Sequence, residues 1–386
     1  MDMQRSESEV TKDLDQYRGC LIGVSVGDAL GYPVEFKSEE RIFAKYGAEG
    51  ITDYALMNGV ARISDDTQMT LFTATGLLQG TTVAVTRGAT APYEEYIWNH
   101  YQDWLKTQTR EFEEVQKDER HYSWLVNIPQ LFSRRAPGLT CMFALGEGIP
   151  GALDHSINTS KGCGGIMRVA PVGLYREAAL HCDDGLDIVG AKAAALTHTH
   201  ELGYIPAAAL VHIIDRIVHG GDTIAEAVDD AMARMPELFP QAQHMDEFLT
   251  IMRRAIDLAD EARPGDGDLD AIHQLGEGRV AEETLAIAVY CALRYPDDFE
   301  SAVVAAVNHN GDSDSTGGVA GAIVGANVGL SGIPRKYLDD LELKQVTLTL
   351  ADDLYQGCLL DEGDTGRGSD PDSDWADKYI TATYRM

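Results

Sequence analysis

An all-α fold follows from three features of the sequence. Apolar residues recur at helical spacing through most of the chain, alanine is abundant among them, and strand signals are sparse. No βαβ alternation appears, which disfavours a Rossmann-like sheet. With 386 residues, 44% of them hydrophobic, the chain can bury a sizeable core in one large domain or two ordinary ones.

In chain order, the spacing predicts helices near residues 17–30, 66–79, 92–106, 122–134, 185–196, 203–218, 223–234, 244–261, 281–293, 298–307, 315–328 and 344–359. Residues 1–16 read as a polar N-terminal extension. The body, 17–360, shows no internal linker. Residues 361–386 read as an acidic mobile tail, because DEGDTGRGSDPDSD is rich in Gly, Ser, Pro and Asp. Its end, WADKYITATYRM, is open to docking on the body or on a partner. EARPGDGDLDAIHQLGEG reads as a long loop between helices.

Two of the expected helices carry glycine rows. Gly19, Gly23, Gly27 and Gly31 fall at successive i, i+4 positions, and so do Gly317, Gly321, Gly325 and Gly329. Each interior helical glycine costs about 1 kcal/mol relative to alanine. Such rows leave a bare backbone stripe on one face and favour close helix–helix contact. Both helices are therefore expected at the centre of the fold, carrying their flanking carboxylates into one site.

The charge balance narrows the partners. Sixty-two acidic residues stand against 31 basic ones, giving a net charge of −31. This surface repels nucleic acid and anionic membranes. It leaves many carboxylates as ligands for hard cations. The six cysteines form no C-x-x-C pair or zinc-finger spacing, so free thiols in a reducing cytoplasm are expected. The polar, acidic start is unlike a secretory signal, and no membrane span is expected.

Three acidic clusters flank apolar helical stretches: Asp28 and Glu35 in GDALGYPVEF, Ser64, Asp65, Asp66 and Thr67 in ISDDTQMTLF, and Asp312, Asp314, Ser315 and Thr316 in GDSDSTGG. Each sits at a helix end, where Asp and Ser also act as caps. Capping alone does not require paired carboxylates plus a hydroxyl in two matched sets. Such oxygen donors suit Mg2+ or Mn2+, in a pair about 3.5–4 Å apart sharing a carboxylate. Asp312-x-Asp314-x-Thr316 also fits the D-x-D-x-T pattern of aspartyl-phosphate phosphatases, but the run before it is helix-like rather than a strand. An EF-hand reading fails because Ile323 stands at the twelfth position. Asp370, Asp372 and Asp374 imitate such a loop and read as solvated tail.

Taken together, GCLIGVSVGDALGYPVEF, SDDTQMTLFTA, SKGCGGIMRVAPVGL, ALTHTH and GDSDSTGGVAGAIVGA, in that order, resemble the ADP-ribosylglycohydrolase family over roughly residues 17–360. The resemblance implies a compact orthogonal multi-helix bundle with two Mg2+ ions, for which Mn2+ often substitutes. It implies metal ligation by Ser64, Asp65, Asp66, Asp312, Asp314 and Ser315, with Asp314 bridging. Serines stand where other members commonly have threonine. Asp314 or Asp312 is the expected general base, and Glu35 matches an acidic position near the scissile bond in some members. SKGCGGIMR supplies expected ADP-ribose contacts: Ser160, Lys161 and the backbone at Gly162, Gly164 and Gly165. From THTH, His198 or His200 is expected on the ribose or phosphate, the other being an ordinary core histidine. Arg168 is open to an ion-pair role.

The implied activity is Mg-dependent hydrolysis of the bond joining ADP-ribose to a protein side chain, most readily arginine. The alternative is an immunity protein that occludes an ADP-ribosyltransferase toxin through residues 1–16 or the tail. A metal-dependent phosphohydrolase is a third option, distinguished by the product released.

Overall fold

The computed structural model describes residues 12–118, 120–263, 267–363 and 373–386. Among them the chain forms eighteen α-helices, several 3-10 turns and a π-helical turn, with isolated bridges and no strand. The first helices are α1 (Leu14–Gly31), α2 (Glu39–Tyr46), α3 (Asp65–Arg87), α4 (Tyr93–Thr109) and α5 (Phe112–Val115). Next come α6 (Leu139–Glu147), α7 (Ala170–Leu174), α8 (Leu186–Ala195), α9 (Glu201–Asp215), α10 (Ile224–Leu238), α11 (Met245–Glu261) and α12 (Leu269–Leu275). The last are α13 (Ala281–Arg294), α14 (Phe299–Val307), α15 (Ser313–Val328), α16 (Lys336–Asp339), α17 (Lys344–Gln356) and α18 (Ser373–Tyr379).

The centre of the fold is the pair α1 and α15, both buried along most of their length. A Cβ on Gly19, Gly23 or Gly27 would collide with the backbone carbonyl of Gly325, Gly321 or Gly317 respectively. On Gly31 it would collide with the carbonyl of Ser313. The partners run in opposite directions, so the helices are antiparallel and touch backbone to backbone. Dispersion across this seam replaces what side chains would otherwise supply. The other helices pack around it, with α13 and α14 against α15 and α17 against α1.

Four expectations need correction. Residues 122–134 are not an α-helix but two 3-10 turns, Trp124–Asn127 and Pro129–Leu131. Pro129 lacks an amide N–H and pushes Ile128 into extended backbone, which ends the helical ladder. The loop expected between α11 and α13 contains α12, whose Ile272 and Leu275 are buried. The polar extension ends earlier than residue 16, because Asp13 caps α1 by accepting from the Asp15 amide at 2.9 Å. Residues 1–11 lie outside the described residues.

The fourth concerns the tail. Residues 373–386 are packed on the body rather than mobile: Trp375 is buried and donates Nε1–H to Thr82 at 3.0 Å. Lys378 reaches the buried Asp353 at 2.8 Å, and the Tyr379 hydroxyl donates to the same carboxylate at 2.5 Å. Two buried aromatic rings outweigh the charge of the segment before them. Residues 364–372, with Asp370 and Asp372, lie outside the described residues.

One stretch, Glu201–Gly220, is long and apolar enough to cross a membrane by length and composition. Its window is 89% buried inside the protein, so its apolar surface belongs to the core.

Candidate active site

The antiparallel seam sets the C-terminal end of α1 against the N-terminal end of α15. Asp28, on the last turns of α1, is fully buried. Its carboxylate accepts from the amide of Ser64 at 2.9 and 3.0 Å, from the amide of Thr67 at 3.1 Å, and from the Thr67 hydroxyl. It thus caps α3 from another helix, satisfying amides that the first turn leaves unpaired. Ser64 caps the same helix by accepting from the Asp66 amide at 3.1 Å. Three helix ends meet at one point.

The carboxylates of both acidic motifs converge there. Ser315 donates its hydroxyl to Asp66 Oδ2 at 2.7 Å. The amide of Ser315 donates to Asp314 Oδ1 at 3.0 Å, and Gly138 donates to Asp65 Oδ2 at 3.1 Å. Glu35, Asp312 and Asp314 each offer an oxygen, all within 4.8 Å of one another. Asp65, Asp66, Asp312 and Asp314 are buried and Glu35 is half-buried.

Such crowding is costly without a cation. Burial, followed by repulsion from Asp312 and Asp28, pushes Glu35 up to about 8. Burial pushes Asp65, Asp66 and Asp314 well above the usual carboxylate range, with neighbouring carboxylates adding to each shift. Asp312 is raised as well, chiefly by burial. An oxygen-only donor set that repels itself fits a hard divalent cation. Asp65, Asp66, Asp312, Asp314 and Ser315 border the cavity and would hold it, with Glu35 beside them, while the Ser64 hydroxyl faces the α3 backbone as a cap.

The cavity above these groups has a volume of about 350 Å³. One wall is the glycine-rich turn. Gly162, Cys163 and Gly164 line it, and the turn is pinned to the start of α13 by Cys163 N–H to Arg279 O at 3.3 Å and Ala281 N–H to Lys161 O at 2.8 Å. The lining also includes Phe36 and Ala136, both with φ above +50°, a conformation that non-glycine residues seldom adopt. Strain of this kind is retained where a site requires it.

Not every expected ligand contact faces the cavity. Gly162, Gly164 and His198 line it. Gly165 packs against the backbone of Gly203. Ser160 is not among the lining residues and shares a hydrogen bond with Thr140 at 3.2 Å. The Lys161 ammonium is taken by Glu282 and, at 3.3 Å, Glu247. His200 caps α9 by accepting from the Leu202 amide at 3.0 Å, and its ring lies 4.7 Å from that of His244. Among the described residues Arg168 makes no ion pair: fully buried, it donates to Ala193 O and Thr197 Oγ1 and lies over the ring of Tyr101.

Two residues of the site gave little signal in sequence. Asp28 stood in a recognised acidic cluster without a role, since the amides it caps lie on another helix. Cys163 read as an ordinary thiol, yet its S–H donates to Asp312 Oδ2 at 3.2 Å.

A family model described as ADP-ribosylglycohydrolase matches residues 9–363. The chain belongs to the ADP-ribosylglycohydrolase family. ADP-ribosylhydrolase ARH3 of Bos taurus is 25% identical over 378 residues, covering 89% of this chain and 93% of that protein. ADP-ribosyl-[dinitrogen reductase] glycohydrolase of Rhodospirillum rubrum is 24% identical, over 86% of this chain and 91% of its own. A solved structure, an ADP-ribosylglycohydrolase-related protein complex, matches with a TM-score of 0.57 and 25% identity, covering 89% of this chain and 98% of that one. As an ADP-ribosylglycohydrolase, the chain is a glycohydrolase enzyme of all-α fold.

Proposed function

We propose that this protein is a Mg-dependent hydrolase that releases ADP-ribose from a modified protein side chain, arginine being the favoured acceptor. One observation carries the reading. Carboxylates of two distant motifs meet, buried and mutually repelling, at the floor of a cavity walled by a glycine-rich turn. The relatives' names record ADP-ribosyl substrates, one of them a protein, and the family match lends that chemistry to this chain.

The residues divide the task. Two bound Mg2+ ions, or Mn2+ in their place, would supply Lewis acidity toward the ribose hydroxyls and an incoming water. Asp66, Asp312 and Asp314 would hold that charge, and Ser315 orients Asp66. Asp312 or Asp314 accepts the water's proton as the C1–N bond breaks. Glu35 sits beside them, placed to pass a proton to the leaving guanidine. The net charge of −31 also favours the approach of a guanidinium-bearing substrate. Gly164 lines the cavity and its amide is the turn's candidate donor to the diphosphate, the amides of Gly162 and Cys163 being taken by Ser160 Oγ and Arg279 O.

The test is incubation with Arg-, Ser- and DNA-linked ADP-ribose conjugates, with and without Mg2+, reading free ADP-ribose. Metal-dependent release from the Arg conjugate is expected, and its loss in Asp314→Ala with the helical spectrum intact. Release of phosphate instead, or turnover unchanged in Asp314→Ala, would overturn the reading.

A further inference from the structure

His198 is buried and lines the cavity, yet among the described residues its Nε2, which lies beside the glycine turn, has no hydrogen-bond partner. A Cβ placed on Gly164 would lie 2.9 Å from its Cε1 and 3.2 Å from its Nε2, and one on Gly162 would lie 3.4 Å from Nε2. The bare turn therefore leaves the path from this nitrogen into the cavity clear. What the nitrogen offers there, a proton or a lone pair, depends on the other side of the ring.

That side is fixed by a chain of hydrogen bonds. Arg168 Nη2 donates to Thr197 Oγ1 at 2.7 Å and to Ala193 O at 3.0 Å. Thr197 Oγ1 lies 2.8 Å from His198 Nδ1. A guanidinium can only donate, so the Thr197 oxygen accepts from it and has one proton left to give. His198 Nδ1 is the strong acceptor in reach. The Cys141 sulfur beside it is a weak acceptor, and it already takes Arg168 Nη1 at 3.4 Å. Nδ1 then carries the lone pair and Nε2 the proton.

We propose that Arg168 and Thr197 are positioning residues that lock His198 as the Nε2–H tautomer, so that a neutral N–H donor enters the cavity beside Gly162 and Gly164, aimed at an acceptor oxygen of the ligand. The identity of that oxygen as part of ADP-ribose rests on the proposed function; the lock itself does not. Two features support a neutral ring. Burial, with the Arg168 charge behind it, pushes His198 down to about 3. The guanidinium is itself held 4.4 Å over the ring of Tyr101, which keeps its donation to Thr197 in place.

The test uses the full-length protein with its histidine rings labelled with 15N. Proton–nitrogen correlation spectra distinguish the two tautomers, and comparison with His198→Gln assigns the signal among eleven histidines. The wild-type ring should show the Nε2–H form unchanged between about pH 5 and 8, where a free imidazole would titrate. Thr197→Val should give a mixture of tautomers and weaken ADP-ribose binding by about five- to tenfold in calorimetry. Thr197→Ser, which keeps the hydroxyl, should restore both. An Nδ1–H ring in the wild type, titration near the ordinary histidine range, or an unchanged tautomer in Thr197→Val would overturn the lock. The expected tautomer with no ADP-ribose binding would support the lock and overturn the proposed function instead.

Discussion

The Ser315 hydroxyl donates to the Asp66 carboxylate at 2.7 Å, joining two acidic motifs 249 residues apart. The bond ties the first turn of α15 to the first turn of α3 and leaves Asp66 one defined orientation. A hydroxyl that borders the cation site and orients one of its carboxylates tunes how tightly that carboxylate holds the ion. Ser315→Ala should therefore weaken Mg2+ binding by about 10- to 100-fold. Calorimetric titration of the chelated protein with Mg2+ checks this, and an unchanged affinity would remove Ser315 from the site.

Asp28 acts on the same site from behind. It satisfies two amides and a hydroxyl at the start of α3 and borders no part of the cavity. Asp28→Asn keeps the shape but presents an NH2 group to one of those donors. A loss of about 2 kcal/mol in urea unfolding is expected, because charged hydrogen bonds contribute about 1.5–3 kcal/mol each. The metal affinity should fall with it, since Asp65 and Asp66 sit on the turn that Asp28 fixes.

The glycine seam makes a sharper claim. In Gly27→Ala the new methyl group meets the backbone carbonyl of Gly317, which cannot move without its helix. Overpacking of this kind should cost about 3 kcal/mol. The control is Gly146→Ala on α6, where nothing lies within 4 Å. There the change should be neutral or stabilising by up to about 1 kcal/mol. Equal melting temperatures for the two variants would refute close contact along the seam.

The crowded carboxylates also fix the pH response of the metal-free protein. Glu35 holds its proton up to about 8 in the folded state, and the unfolded chain releases it near the ordinary value of 4.5. Asp65, Asp66 and Asp314 are shifted the same way. Between those limits the folded state binds more protons than the unfolded one, so stability falls as pH rises. Chelated protein should melt at progressively lower temperature from about pH 5 to 8. Added Mg2+ should raise the melting temperature most at the upper end, where the carboxylates it meets are ionised. A chelated protein that gains stability across this window would contradict the cluster's electrostatics.

Much of this architecture is legible from spacing alone. The rows Gly19 to Gly31 and Gly317 to Gly329 mark a face stripped of side chains, and periodicity fixes most helices that follow. The acidic motifs carry their chemistry in residue type. Other features depend on neighbours that the sequence does not identify. Pro129 gave a local reason for the broken helix at 122–134, but the buried Trp375 is understood only beside Thr82. His198 and His200 look alike in THTH; one faces the cavity and the other caps α9.

The sequence by itself determined an all-α chain, two glycine-striped helices and two sets of oxygen donors, because periodicity and residue chemistry are local properties. Tertiary structure decided which donors meet, that Asp28 caps a helix it does not belong to, and which nitrogen of His198 faces the cavity. Those outcomes rest on distances between residues far apart in the chain, and a hydrogen bond or a repulsion exists only once folding has set the distance.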